Sequence, residues 1–173
     1  MINIRAINNL DKEALLTAFL KCCASVNWAS QLAGCQPFKN KDDLFFNAKN
    51  IWFNKCKKED WLEAFSAHPK IGDIDSLAKK YANTKDLAGK EQSGVESASM
   101  ETLKALAEGN EKYEKKYGYI FIVCATGKSA QEMLDILNGR LNNDPEKEIL
   151  IAMQEQHKIT EIRLNKWFNG LMV

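Results

Sequence analysis

The residue type best suited to chemistry near neutral pH is histidine, and the chain has only two, His68 and His157. His68 stands directly before Pro69. Because proline disfavours a helical conformation in the preceding residue, we expect His68 to lie at the end of a helix. An imidazole with a pKa of about 6.5 is a natural general acid or base there. The alternative is a structural role, with the imidazolium capping the preceding helix.

Arg163 is the second candidate, because it falls on an apolar helix stripe between Ile159 and Trp167. A guanidinium on such a face must be paired or must bind something, since an unpaired buried charge is costly. An internal ion pair and ligand binding both remain open. Arg140, near the end of the preceding predicted helix, can complement the dipole of that helix.

Two further sites carry polar or nucleophilic groups. Glu91 and Gln92 place a carboxylate beside an amide, which can recognise a urea-like donor and acceptor pattern, although such pairs are usually solvated surface. Cys124 can form a nucleophilic pair with His68, but a buried inert thiol is the more common outcome.

Two other kinds of site are excluded. The histidines form no HxxxH pair and no carboxylate or thiol cluster accompanies them, so no metal is predicted. Gly127-Lys-Ser129 resembles the tail of a P-loop, but Ile122 stands where that motif requires glycine, which excludes nucleotide binding.

Composition limits the class of protein. The 173 residues are 45% hydrophobic and 27% charged with a formal charge of +1, which predicts a globular chain without a nucleic-acid partner. No apolar run is long enough to span a membrane and no signal peptide is recognisable. Five cysteines without a CxxC motif favour free thiols in a reducing compartment. We therefore expect a cytoplasmic protein.

Apolar periodicity predicts a helical chain. Helices are expected over residues 11–23, 41–56, 59–67, 75–81, 98–117, 129–141 and 145–169, and a loop or short helix over 28–38. Residues 119–125 have the composition of a strand but no second such segment to pair with. The sequence thus predicts an all-α fold, as a single compact multi-helix domain over residues 1–173, with one extended apolar segment near 119–125.

Four short motifs occur in a recognisable order. They are His-Pro-Lys-Ile-Gly-Asp at 68–73, Glu-Gln at 91–92, Lys-Tyr-Gly-Tyr-Ile-Phe-Ile-Val-Cys-Ala at 116–125, and Lys-Ile-Thr-Glu-Ile-Arg-Leu at 158–164. Together with Trp28 and Gln36-Pro-Phe38, they resemble the 2-oxo-4-hydroxy-4-carboxy-5-ureidoimidazoline (OHCU) decarboxylase family of uric acid breakdown. The resemblance extends over nearly the whole chain.

This resemblance implies an all-α homodimer that needs no cofactor and converts OHCU to (S)-allantoin and CO₂. The imidazolinone ring itself is then the electron sink, and the protein orients the carboxylate and supplies a proton. By family position, His68 and Glu91 are the catalytic residues. The substrate-binding residues implied in the same way are Pro69, Ala88, Glu91, Gln92, Phe121, Ile122, Val123, Cys124, Ala125 and Arg163.

The chain departs from the family pattern at two positions. Ala88 replaces a serine, which removes one hydroxyl hydrogen bond, and Ile120 replaces a proline. Two alternatives follow. One is an enzyme of the same fold that acts on a different ureido or imidazolinone substrate. The other is a helical binding module without activity.

Overall fold

The computed structural model describes residues 4–68 and 99–170, where the chain forms α-helices and no strand. This confirms the predicted all-α fold. The helices in these ranges are α1 (Ile4–Asn8), α2 (Lys12–Cys22), α3 (Val26–Ala33), α4 (Lys41–Asn54), α5 (Lys58–Ser66), α6 (Met100–Tyr117), α7 (Ala130–Arg140) and α8 (Pro145–Phe168). None of them is long and apolar enough to cross a membrane.

The chain divides into two compact units, residues 1–68 with 153–173 and residues 69–152. The single domain expected over residues 1–173 stays a prediction. The helix expected over residues 75–81 lies outside the described residues.

Side-chain caps set where the helices begin. The carboxylate of Asp11 accepts a hydrogen bond from the backbone N–H of Ala14 at 2.7 Å, which opens α2. Ser129 and Glu132 form the reciprocal capping box that opens α7. Pro145 occupies the first position of α8, where its missing N–H costs nothing. These three starts agree with the sequence prediction.

The first unit is built around aromatic side chains. The ring of Phe19 in α2 makes edge-to-face contacts with three other rings, those of Trp28, Phe38 and Trp167. The indole N–H of Trp52 donates to the carbonyl of Met153 at 2.9 Å. This bond joins α4 to the last helix, so the part of α8 after Met153 is fixed within this unit.

The second unit packs α6 against α7 over a short distance. A Cβ added at Gly109 would lie 2.6 Å from Cδ2 of Leu137, so a residue without a side chain allows the two helices to approach. Gly118 ends α6 in the left-handed region at φ 79°. Residues 120–125 follow in neither helix nor strand, as the sequence predicts for the apolar segment.

Candidate active site

His68 lies two residues beyond the end of α5, where Pro69 predicts it. The helix ends at Ser66, and the backbone N–H of His68 donates to the carbonyl of Phe65 at 3.2 Å. The His68 residue is partly buried. The chain therefore presents this imidazole from a helix terminus rather than from inside a helix.

A buried amide holds the imidazole of His68. Its Nε2 lies 2.6 Å from Oε1 of Gln156, and Gln156 is fully buried in α8. Gln156 is not among the residues that the sequence motifs single out. The available signal was a polar residue three positions after Met153 and seven before Arg163, on the apolar face of a long helix.

Arg163 shares a helix face with Gln156. Seven residues separate them, which is two turns and roughly 10 Å along the axis. Among the described residues, the hydrogen bond assigned to the Arg163 guanidinium is one from Nη1 to the carbonyl of Cys22, at 3.4 Å. The ion pairs found among these residues do not include Arg163. Of the two alternatives left open, the internal ion pair is therefore not found within the described part of the chain.

Four of the five cysteines are buried, and Cys35 is partly exposed. All five are free. Burial raises the pKa of Cys22 and of Cys23 to about 12, although the positive charge of Arg163 opposes the shift at both. Burial likewise raises the pKa of Cys56 to about 12. These three thiols stay protonated near neutral pH and are poor nucleophiles.

The segment after α6 alternates between buried and partly exposed residues. Ile122 and Cys124 are buried, whereas Phe121, Val123 and Ala125 are partly exposed. Two side chains hold its backbone. Nη1 of Arg140 donates to the carbonyl of Ile122 at 2.7 Å, and Nζ of Lys128 donates to that of Cys124 at 2.9 Å. The backbone of the predicted pocket-lining segment is thus anchored within its own unit.

Arg140 lies in the last turn of α7, as expected, and its guanidinium also has a buried partner that the sequence did not indicate. Arg140 is only 7% exposed and Glu148 is fully buried. Nε of Arg140 donates to Oε1 of Glu148 at 2.7 Å, and the hydroxyl of Tyr113 donates to the same oxygen. Burial raises the pKa of Tyr113, which keeps its hydroxyl protonated as a donor. The Arg140 side chain therefore forms a buried ion pair with Glu148.

Similarity to known proteins shows which family the chain belongs to. The sequence profile described as OHCU decarboxylase matches residues 8–165. The chain belongs to the OHCU decarboxylase family. This confirms the resemblance drawn from the four motifs, and with it the expected class of decarboxylase in uric acid degradation.

Individual relatives of this family are similar over most of the chain. The uric acid degradation bifunctional protein TTL of Arabidopsis thaliana is 40% identical over 86% of this chain, which spans 45% of that protein. An OHCU decarboxylase of Haloferax volcanii is 23% identical over 98% of both chains. A crystal structure of an OHCU decarboxylase in the presence of (S)-allantoin has 38% identity and a TM-score of 0.71. The match covers 92% of this chain and 99% of the chain in that structure.

Four of the residues expected from the OHCU decarboxylase family to form the site, Pro69, Ala88, Glu91 and Gln92, lie outside the described residues. The structure describes His68, Arg163 and residues 121–125. His68 and Arg163 belong to the first unit, and residues 121–125 belong to the second. In residues 4–68 and 99–170, no group of three or more His, Cys, Asp or Glu side chains is placed to hold a metal ion.

Proposed function

We propose that this chain decarboxylates OHCU to (S)-allantoin and CO₂. The observation that carries the proposal is the placement of His68, at a helix terminus and 2.6 Å from a buried amide. Such an imidazole is held in one orientation, as an acid that must add a proton to one face of an intermediate requires. The similarity to an OHCU decarboxylase structure over 92% of the chain supports the choice of substrate.

The chemistry needs few protein groups. Breaking the bond to the carboxylate releases CO₂ and leaves an electron pair, which the imidazolinone ring takes up. The 4-hydroxyl group loses its proton as it becomes a ring carbonyl, one proton adds to the ring nitrogen, and one proton forms the new C–H bond. Delivery of this last proton from one side sets the configuration of the product. Positive or hydrogen-bonding groups near the ring stabilise the charge that develops in the transition state. His68 supplies the proton in this scheme.

Other residues receive roles from the family resemblance. Glu91 acts with His68, and Arg163 binds an anionic or carbonyl part of the substrate. The absence of an internal carboxylate partner for Arg163 among the described residues supports this role. The remaining residues recognise the ring and the ureido group through side chains or backbone. These are Pro69, Ala88, Gln92, Phe121, Ile122, Val123, Cys124 and Ala125.

The assembly and location are part of the same proposal. We expect a homodimer that acts in the cytoplasm on a small-molecule substrate and needs no cofactor. The five free cysteines are consistent with a reducing compartment.

The decisive experiment follows the decay of freshly generated OHCU by ultraviolet absorbance and circular dichroism, with and without the protein. Accelerated decay with build-up of the (S) enantiomer is expected. Unchanged decay with racemic product, from demonstrably folded protein, would overturn the proposal. Activity on another ureido compound would instead indicate a changed substrate, and Ala88→Ser is then the variant to test.

His68→Ala separates catalysis from binding in the same assay. Because general acid catalysis typically contributes about 10²- to 10⁴-fold, a rate loss of that order is expected in a protein that still folds. His157→Gln, which removes the other histidine, is the matched control and retains the wild-type rate. Full activity of His68→Ala would remove the proposed role of His68.

A further inference from the structure

Gln156 is a buried polar group whose position calls for an explanation. Its side chain is fully buried, and an amide removed from water is costly unless its hydrogen bonds are made. The Gln156 side chain makes hydrogen bonds to His68 on one side and Thr160 on the other. The amide therefore links the imidazole of His68 to Thr160, one turn further along α8.

Thr160 determines which way the amide faces. The Thr160 hydroxyl donates its single proton to the backbone carbonyl of Gln156 at 3.0 Å. Its oxygen is then an acceptor, and Nε2 of Gln156 donates to it at 3.3 Å. A flipped amide would place two acceptors against each other there, unless the hydroxyl gave up its bond to the backbone carbonyl. With the hydroxyl bonded to that carbonyl, the side-chain oxygen of Gln156 faces His68.

The surroundings of Thr160 are compatible with this arrangement. Burial raises the pKa of the Cys23 thiol to about 12, and Thr160 opposes this shift. The thiol is therefore neutral near pH 7 and adds no negative charge that would draw the Thr160 proton away from the Gln156 carbonyl.

An oxygen acceptor 2.6 Å from Nε2 requires a proton on that nitrogen. We propose that Gln156 is the positioning residue of His68, holding Nε2–H so that the proton delivered to the substrate is carried on Nδ1. This inference rests on the decarboxylase function proposed above. In the proton-transfer step the Nδ1–H bond breaks as the new C–H bond forms. His68 is left as the neutral Nε2–H tautomer, and solvent returns the proton.

The tautomer can be observed directly, because the chain has only two histidines. Protein labelled with ¹⁵N-histidine gives two imidazole spin systems, which His157→Gln assigns. The neutral ring of His68 is expected to show a protonated Nε2 and an unprotonated Nδ1 in the wild type. Gln156→Leu, which removes the acceptor, is expected to give a mixture of tautomers. A wild-type ring protonated on Nδ1 alone would overturn the inference.

Kinetics provide the second measurement. Gln156→Leu is expected to lower kcat by up to about 100-fold, since a misplaced catalytic group loses that much, with little change in KM. Gln156→Glu keeps an oxygen at Nε2 and should retain the tautomer and recover part of kcat. Gln154→Leu makes the same substitution at an exposed position of α8 and should change neither quantity.

The two proposals fail separately. The tautomer is measured without substrate, so it decides the role of Gln156 even if the wild type does not act on OHCU. A wild type that decarboxylates OHCU, together with a Gln156→Leu variant that keeps both kcat and tautomer, would leave the function standing and remove the positioning role.

Discussion

The two histidines of this chain occupy environments that fit different roles. His68 meets the oxygen of a buried amide, whereas the ring of His157 lies edge-on to Phe53 with centroids 4.9 Å apart. Burial lowers the pKa of His157. The nearby Glu161 carboxylate opposes that shift and Lys49 adds to it. His157 is therefore neutral near pH 7 and belongs to the packed interior of its unit.

Protonation of His157 should cost stability. Because its pKa in the folded chain lies below the ordinary 6.5, the unfolded chain binds more protons in the interval between the two values. The free energy of unfolding should thus decrease as the pH falls from 6.5 towards the folded pKa, with no contribution from His157 above 6.5. Chemical denaturation of the wild type and of His157→Gln across this range measures the effect. Parallel pH profiles would contradict it.

A sequence identifies a reactive residue more easily than the residue that holds it in place. Pro69 marks His68 locally, because the restriction acts on the adjacent residue. Gln156 lies 88 positions away from His68. Its place on the apolar face of a helix indicates burial, but nothing in the local pattern shows which side chain the amide bonds. The same holds for Arg140, whose partner carbonyl at Ile122 depends on how the chain folds back.

At the scale of elements, the sequence was most informative where helix ends use local chemistry. Asp11, Ser129 and Pro145 mark starts that the structure reproduces. The five-residue helix α1 was not predicted, because it is too short for a periodic stripe. The strand-like residues 120–125 remain outside a sheet, since the described chain offers them no partner strand.

The ion pair between Arg140 and Glu148 ties α6, α7 and the start of α8 to the segment at Ile122. Arg140→Met would leave a fully buried carboxylate without its cation, which typically costs about 3–5 kcal/mol. Urea denaturation is expected to show a loss of that order. A double variant that also carries Glu148→Met should recover part of it, since no buried charge then remains unpaired.

A surface pair provides the matched control for Arg140. Nζ of Lys158 lies 2.5 Å from Oε1 of Glu155, but the Lys158 side chain is 59% exposed. Exposed ion pairs contribute about 0–1 kcal/mol, so Lys158→Met should change the unfolding free energy by no more than that. Equal losses from Arg140→Met and Lys158→Met would show that burial of the Arg140–Glu148 pair does not govern its contribution.

At the scale of the whole molecule, the matched region occurs in proteins of different length. This chain covers 98% of the Haloferax volcanii relative but only 45% of the Arabidopsis thaliana protein. The matched region is therefore shared by chains of very different length. Its motifs, spread from residue 68 to residue 164, were recognisable because four short patterns occur together in one order.

Binding of the product tests the whole chain without turnover. If (S)-allantoin binds the folded protein only, a concentration ten times its dissociation constant stabilises the fold by about 1.4 kcal/mol. For a chain of this size that corresponds to a rise in Tm of roughly 3–6 °C. A site that delivers the proton to one face should bind (R)-allantoin more weakly, so the (R) enantiomer should give a smaller shift at the same concentration.

Arg163→Ala should reduce the Tm shift caused by (S)-allantoin without lowering the Tm of the free protein by a similar amount. Equal shifts by both enantiomers would contradict a stereospecific site, and an unchanged shift in Arg163→Ala would remove that residue from product binding.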